Sequence, residues 1–312
     1  MSSNGPKATP NGRPILIGEV LFDCFPDGSR VLGGAPFNVA WHLQAMGLAP
    51  LLVSRVGTDA LGDRILTAMR EWGLETTAIQ RDPDRPTGTV EVRLDDGPQF
   101  EIVPDRAWDH LDGRDATAAL AEVDGALLYH GTLIARAEPA ATAVQTLRAA
   151  SGLPVFLDVN LRDPWWTAAA VRRMLFGTRW LKLNEDELDA LDDGETATPL
   201  PDRLRAARTR WALDTVVLTR GADGATAVSA DGAIDGSAPQ PPRMVDSVGA
   251  GDAFSAVWIA GLLRGWPWRI TFDRALAFAS LVCSHRGAVI PDRSVYTSMM
   301  ETWSDSVAVD TG

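Results

Sequence analysis

Hydrophobic and polar positions change rhythm several times along the chain, and each rhythm predicts an element. Residues 14–20 (PILIGEV) are a short apolar run of strand length, and the polar stretch after it, with Asp23, Pro26, Asp27 and Gly28, reads as a loop. Apolar residues then recur at helical spacing over 36–46, crowd into a strand-like run at 51–56, and return to helical spacing over 61–72, where Gly73 supplies a stop. Strand-like runs reappear at 126–129, 155–159, 180–183 and 215–219 with helical stretches between them, and helices are expected at 250–263, 272–285 and 294–303. Such alternation predicts an α/β fold with a doubly wound, mostly parallel sheet. Residues 87–103 depart from it. There apolar and polar residues alternate on both sides of Asp95, Asp96, Gly97 and Pro98, which predicts a half-exposed β-hairpin with Val90, Val92 and Leu94 on one face and Glu91 and Arg93 on the other.

Composition narrows the class. With 312 residues and 46% hydrophobic content, the chain is long enough to bury a full core. Lys and Arg total 29 against 41 Asp and Glu, a net charge of −12, which repels nucleic-acid backbones and anionic membranes; neither partner is expected. No run approaches the roughly 18 apolar residues of a membrane span, and the polar start carries no apolar signal core. The two cysteines, Cys24 and Cys283, have neither metal-like nor redox-motif spacing, so a cytoplasmic, reducing compartment is expected. The four histidines (His42, His110, His130, His285) show no ligand spacing either.

The strongest chemical signal is DSVGAGDAF, 246–254, which opens the apolar helix at 250–263. Small residues at Gly249, Ala250 and Gly251 leave backbone N–H groups facing outward at the positive end of a helix, an anion site. Asp252 beside such a site is electrostatically odd. It makes sense if the carboxylate takes a proton from a hydroxyl while the amides stabilise charge on a transferring phosphoryl group. A plain glycine turn with an acidic helix start is the competing reading of these residues alone. There is no Gly-x-x-x-x-Gly-Lys-Ser/Thr run and no Gly-x-Gly-x-x-Gly after the first strand, which disfavours a P-loop enzyme and a dinucleotide-binding dehydrogenase.

DSVGAGDAF resembles the C-terminal signature of the ribokinase-like sugar kinases, the phosphofructokinase B family, and GGAPFNVAWHLQAMG at 33–47 resembles its N-terminal signature. The resemblance runs from about residue 15 to 291 and implies the ribokinase-like fold, ATP and Mg²⁺ as partners, and Asp252 as base with Gly249, Ala250 and Gly251 as anion hole. It implies sugar contacts for Asp23, Gly33, Gly34 and Asn38. In KLNEDEL it assigns Asn184 and Glu187 to the phosphates and, through water, to Mg²⁺, although Asn-x-x-Glu is also a helix capping box. It places Thr219 and Gly221 of LTRGADGA along the nucleotide, and Gly287 and Ala288 near the adenine. It raises the expectation of K⁺ beside Asp246.

DVNLRDPWW at 158–166 resembles the Asp-x-Asn-x-Arg motif of fructokinases and 2-keto-3-deoxygluconate kinases; extended geometry would project Asp158, Asn160 and Arg162 to one side. Arg162 suits a neutral sugar or the carboxylate of an acid sugar. PTGTVEV at 86–92 and Ala107, Trp108 and Asp109 resemble the fructokinase group, and Trp108, Trp165 and Trp166 are candidates for packing on a sugar ring. The resulting expectation is a cytoplasmic, fructokinase-like enzyme whose single kinase domain spans 13–304, with 1–12 and 305–312 as disordered tails. Segments about 30–34 and 87–103 are expected to form a small β-sheet lid that excludes water and pairs two subunits into a homodimer. The alternatives are a 2-keto-3-deoxygluconate kinase, a nucleoside kinase, or a catalytically silent sensor of sugar or nucleotide.

Overall fold

The computed structural model describes residues 12–93, 99–192 and 198–309. Its strands, in chain order, are β1 (Arg13–Ile17), β2 (Leu21–Cys24), β3 (Arg30–Gly33), β4 (Leu51–Gly57), β5 (Ile79–Asp82), β6 (Gly88–Arg93), β7 (Gln99–Ile102), β8 (Gly125–His130), β9 (Val155–Asp158), β10 (Thr178–Asn184), β11 (Thr215–Thr219), β12 (Ala225–Ser229) and β13 (Gly232–Gly236). The helices are α1 (Ala35–Ala45), α2 (Ala60–Trp72), α3 (Gly113–Leu120), α4 (Glu138–Ser151), α5 (Ala168–Leu175), α6 (Glu185–Leu191), α7 (Leu200–Arg210), α8 (Ala250–Arg264), α9 (Trp268–Val282) and α10 (Arg293–Val309).

Nine strands form one sheet in the order β13-β12-β11-β10-β9-β8-β1-β4-β5, and four form a second in the order β3-β2-β6-β7. The large sheet is parallel from β11 to β5, with β12 and β13 antiparallel at one edge. From β1 the chain proceeds to β4 and β5 on one side, then returns to β8 on the other and continues outward through β11. That reversal beside β1 is a topological switch point, and the crevice above the strand ends there is where open α/β sheets bind ligands.

Alternating side chains feed opposite layers. Leu16, Leu52, Tyr129, Phe156 and Trp180 pack with Phe37 of α1, Ala256 of α8 and Phe272 of α9. On the other side Ile15, Ile17, Val53 and Leu128 meet Val144 and Leu147 of α4, while Leu181, Leu183 and Val216 meet the α5, α6 and α7 layer. Both faces are covered, as a buried parallel sheet requires.

The hairpin is present as β6 and β7, with Val90 and Val92 buried and Glu91 and Arg93 exposed. Leu94 and the turn at Asp95, Asp96, Gly97 and Pro98 lie outside the described residues, as do the terminal segments 1–11 and 310–312. Two expectations are corrected. Residues 21–24 are not loop but β2, held between antiparallel β3 and parallel β6, so Asp23 sits on a strand of the small sheet. Residues 305–309, expected to lie in a disordered tail, continue α10.

The PTG segment anchors this sheet to the body. Asp59 caps α2 by accepting the Gly62 N–H at 2.8 Å and also accepts the Thr87 N–H and hydroxyl, each at 2.7 Å. Gly62 is required for that join, because a Cβ there would lie 2.2 Å from the Gly57 carbonyl oxygen.

Candidate active site at the sheet switch point

The candidate residues gather above the C-terminal ends of β1, β9, β10 and β11. Gly249, at φ 81°, is the N-cap of α8, and a Cβ there would come within 2.4 Å of the Ala288 Cα. Only glycine permits both that backbone conformation and that approach. Ala288 therefore seals the back of the loop, held by a His42 ring whose Nε2 donates to its carbonyl at 3.2 Å while Nδ1 meets the Tyr296 hydroxyl at 2.8 Å. Burial pushes the His42 imidazole down to about 4, so it serves there as a neutral hydrogen-bonding strut. Asp246 closes the loop from the other end, accepting from Val248 N–H and Gly287 N–H, both at 3.0 Å.

In the first turn of α8, Asp252 Oδ2 accepts the Asn38 side-chain N–H at 2.8 Å, joining two signatures far apart in the chain. Burial pushes the Asp252 carboxyl up to about 6; the Asn38 hydrogen bond opposes the rise, Asp158 adds to it, and Lys182 and Arg162 oppose it. A carboxyl that is ionised above about pH 6 yet binds a proton more tightly than an ordinary aspartate suits a proton acceptor. Gly34, at φ 109°, caps α1, and a Cβ there would meet the Glu19 carbonyl oxygen at 2.6 Å. The Asp23 carboxylate approaches Gly33 and is pushed up to about 6 by burial.

Beneath the loop lies a buried polar network. Lys182 Nζ donates to both Asp158 oxygens at 2.8 and 2.9 Å, Ser255 Oγ donates to Oδ2 at 2.7 Å, and Tyr129 OH donates to the same oxygen at 3.2 Å. Burial would lower the Lys182 ammonium, and Asp158 overcomes this, leaving it above its ordinary value. The ammonium also lies 3.4 Å from where a Cβ on Gly251 would sit, directly behind the glycine loop. Here the expected projection of Asp158, Asn160 and Arg162 to one side fails. The strand ends at Asp158, Asn160 turns left-handed at φ 45°, Asp158 points into the core, and Arg162 is exposed.

Asn184 and Glu187 form the capping box of α6: Asn184 Oδ1 accepts Glu187 N–H at 2.8 Å, and Glu187 Oε2 accepts Asn184 N–H at 2.9 Å. Glu187 Oε1 also accepts Leu161 N–H at 2.8 Å, and burial raises this carboxyl above its usual range. Thr219 and Gly221 border a cavity of about 460 Å³ whose walls include Pro239, Met244, Gly251, Phe254, Ala279 and Cys283. Gly287 and Ala288 are not among its lining residues. Among the described residues, no three His, Cys, Asp or Glu side chains gather to hold a metal ion, and no helix is long and apolar enough to cross a membrane.

The tryptophans have structural partners. Trp108 is buried, with the Arg136 guanidinium 4.0 Å from its ring and 4.7 Å from that of Trp165. Arg136 pairs in turn with Asp109 at 2.6 Å, so Ala107, Trp108 and Asp109 brace the root of the small sheet, and Trp166 donates to Asp163 at 2.7 Å. Glu19, Tyr129, Lys182 and Ser255 were not signalled by motif; a lysine on an otherwise apolar strand was the one available cue.

Comparison with known proteins decides the family. The model of the pfkB family carbohydrate kinases matches residues 25–294. The chain belongs to that family. A fructokinase from Escherichia coli is 30% identical over 270 residues, covering 80% of this chain and 83% of its own length. A 5-dehydro-2-deoxygluconokinase from Clostridium perfringens is 27% identical over 273 residues, covering 82% and 80%. In fold, this PfkB protein resembles a Vibrio cholerae O395 fructokinase variant solved with fructose, ADP and potassium ion (TM-score 0.77, 24% identity, 94% of this chain and 99% of that one). It also resembles a Xylella fastidiosa fructokinase solved with ATP (TM-score 0.78, 24% identity, 93% and 99%). It is thus a PfkB-family carbohydrate kinase on the ribokinase-like fold.

Proposed function

We propose that this kinase transfers the γ-phosphoryl group of ATP to a primary hydroxyl of a neutral ketose, fructose or a close relative. The observation that carries the reading is the Asn38–Asp252 hydrogen bond, which sets a proton-accepting carboxyl beside the glycine loop at the start of α8. The hydroxyl gives its proton to Asp252 as its oxygen bonds to the phosphorus, and ADP departs. Donors at the first turn of α8 hold the developing charge; Gly251 N–H is the best candidate, because Ala250 N–H already donates to Ser247 O at 3.3 Å. Asp23, Gly33, Gly34, Asn38 and Arg162 hold the sugar in this reading.

Both Glu187 oxygens accept one backbone donor and keep a further lone pair, which fits a Mg²⁺ ion held mainly through water and phosphate oxygens. Such an ion would neutralise phosphate charge. Asp246, similarly part-satisfied, would hold K⁺ beside the loop. The small sheet supports the lid reading: register puts Asp23, Val31 and Val90 on one face, with Val92 and Phe100 farther along it. Val31 and Phe100 are 41% and 56% exposed there, and this apolar continuation supports a second subunit.

ATP occupies the cavity beside Thr219 and Gly221 in this account. Ala279→Phe, which fills that cavity, is expected to raise the ATP KM about tenfold or more with little change in the sugar KM. An effect confined to the sugar KM would place the nucleotide elsewhere.

Charge favours the neutral sugar. Glu19, Asp23 and Asp252 all sit at this end of the sheet, and one guanidinium, Arg162, acts on Glu19 and Asp252. Sugar-dependent ADP release measured with fructose, ribose, 2-keto-3-deoxygluconate, 5-dehydro-2-deoxygluconate and a nucleoside tests the assignment. The highest kcat/KM is expected for fructose or another neutral ketose, and preference for an acid sugar overturns that specificity.

A further inference from the structure

Glu19 lies in the short turn between β1 and β2, is 4% exposed, and belongs to no signature. Its Oε1 accepts the Ala35 N–H at 3.2 Å, in the first turn of α1. Its Oε2 is buried and finds no hydrogen-bond partner, and the same holds for Oδ1 of Asn38 on the helix it caps. Since a buried polar atom without a partner is costly, two such oxygens beside the candidate sugar site mark positions completed by a ligand or a proton.

We propose that Glu19 is a positioning residue for phosphoryl transfer: it pins the start of α1, and with it Asn38 against Asp252. The proposal rests on the kinase reading above. Burial pushes the Glu19 carboxyl up to about 7; its backbone hydrogen bonds oppose the rise, Asp252 adds to it, and Arg162 opposes it. The charged or titratable groups that act on the pair are Arg162 from the segment after β9, Tyr129 from β8, which burial keeps neutral, and Asp158 and Lys182, which act on Asp252 with opposite signs. Asp252, near 6, ionises while Glu19 still holds its proton, and Glu19 then ionises near 7 against that charge.

Removing the Glu19 carboxylate therefore leaves the acid limb of kcat/KM, set by Asp252, close to its wild-type position. A carboxyl that binds its proton more tightly in the folded protein costs stability as pH climbs from its unfolded value, about 4.5, through about 7. Glu19→Gln keeps an acceptor for Ala35 N–H and loses the charge, whereas Glu19→Ala loses both.

The test is the pH profile of kcat/KM for the sugar in wild type, E19Q and E19A, together with melting temperature from pH 5 to pH 8. E19Q, which keeps the acceptor, is expected to hold kcat and the acid limb close to wild type, and E19A to lower kcat at every pH about tenfold or more. E19Q should also lose less melting temperature than wild type across that range, a readout that needs no turnover and so stands apart from the sugar assignment. An E19Q kcat as low as that of E19A, an unchanged melting slope, or wild-type kcat in E19A overturns the proposal.

Discussion

Replacing Asp252 by Asn is expected to lower kcat by about 10²-fold or more, the loss typical when a positioned general base is removed. The amide has the carboxylate's shape, and its oxygen still accepts the Asn38 N–H, so α1 and α8 stay joined. What disappears is the proton acceptor. Stability should move the other way: burial raises the Asp252 carboxyl to about 6, so ionising it above that pH costs folding free energy, and Asn removes the cost. A variant that melts no lower than wild type at pH 8 while turning over about a hundredfold more slowly meets both expectations. Near-normal turnover would remove Asp252 from the chemistry.

Lys182→Met is expected to destabilise the fold by about 3–5 kcal/mol, because it leaves the Asp158 carboxylate buried with only the Tyr129 and Ser255 hydroxyls as donors. A Lys182→Met, Asp158→Leu double variant should recover much of that loss, since an apolar pair replaces a buried ion pair at far less cost than breaking it. Denaturant unfolding of the two singles and the double closes the cycle. A single-variant loss under about 1 kcal/mol, at the level of an exposed pair, would contradict the buried network. Both variants should also be slow kinases, because the ammonium lies directly behind Gly251.

Much of this was legible in the chain, for physical reasons particular to each element. Strands buried on both faces read as apolar runs, so β1, β4, β8, β9, β10 and β11 stood out, and Gly73, left-handed at φ 79°, marked the end of α2. The hairpin showed because its two faces meet different environments. β2 and β5 were missed because neither carries a local signature: LFDC follows β1 after three residues and is a strand only by pairing with β3 and β6, and IQRD pairs only with the edge of β4. Asp158 was read as facing outward because period-two alternation was carried past the strand end, where Asn160 reverses the backbone. Glu19 was illegible because its burial depends on Gly34 and α1 closing over it, a contact between elements that no spacing records.

The central claim is that this PfkB protein moves a phosphoryl group from ATP to a sugar hydroxyl above the β1 switch point. Single-turnover transfer from ATP labelled in its γ-phosphate, with enzyme in excess and fructose as first acceptor, tests it most directly. The account predicts one labelled sugar phosphate for each ADP formed in wild type, and almost none in Asp252→Asn on the same timescale. Labelled inorganic phosphate in place of sugar phosphate with every sugar of the panel, or equal transfer by the two proteins, would contradict it.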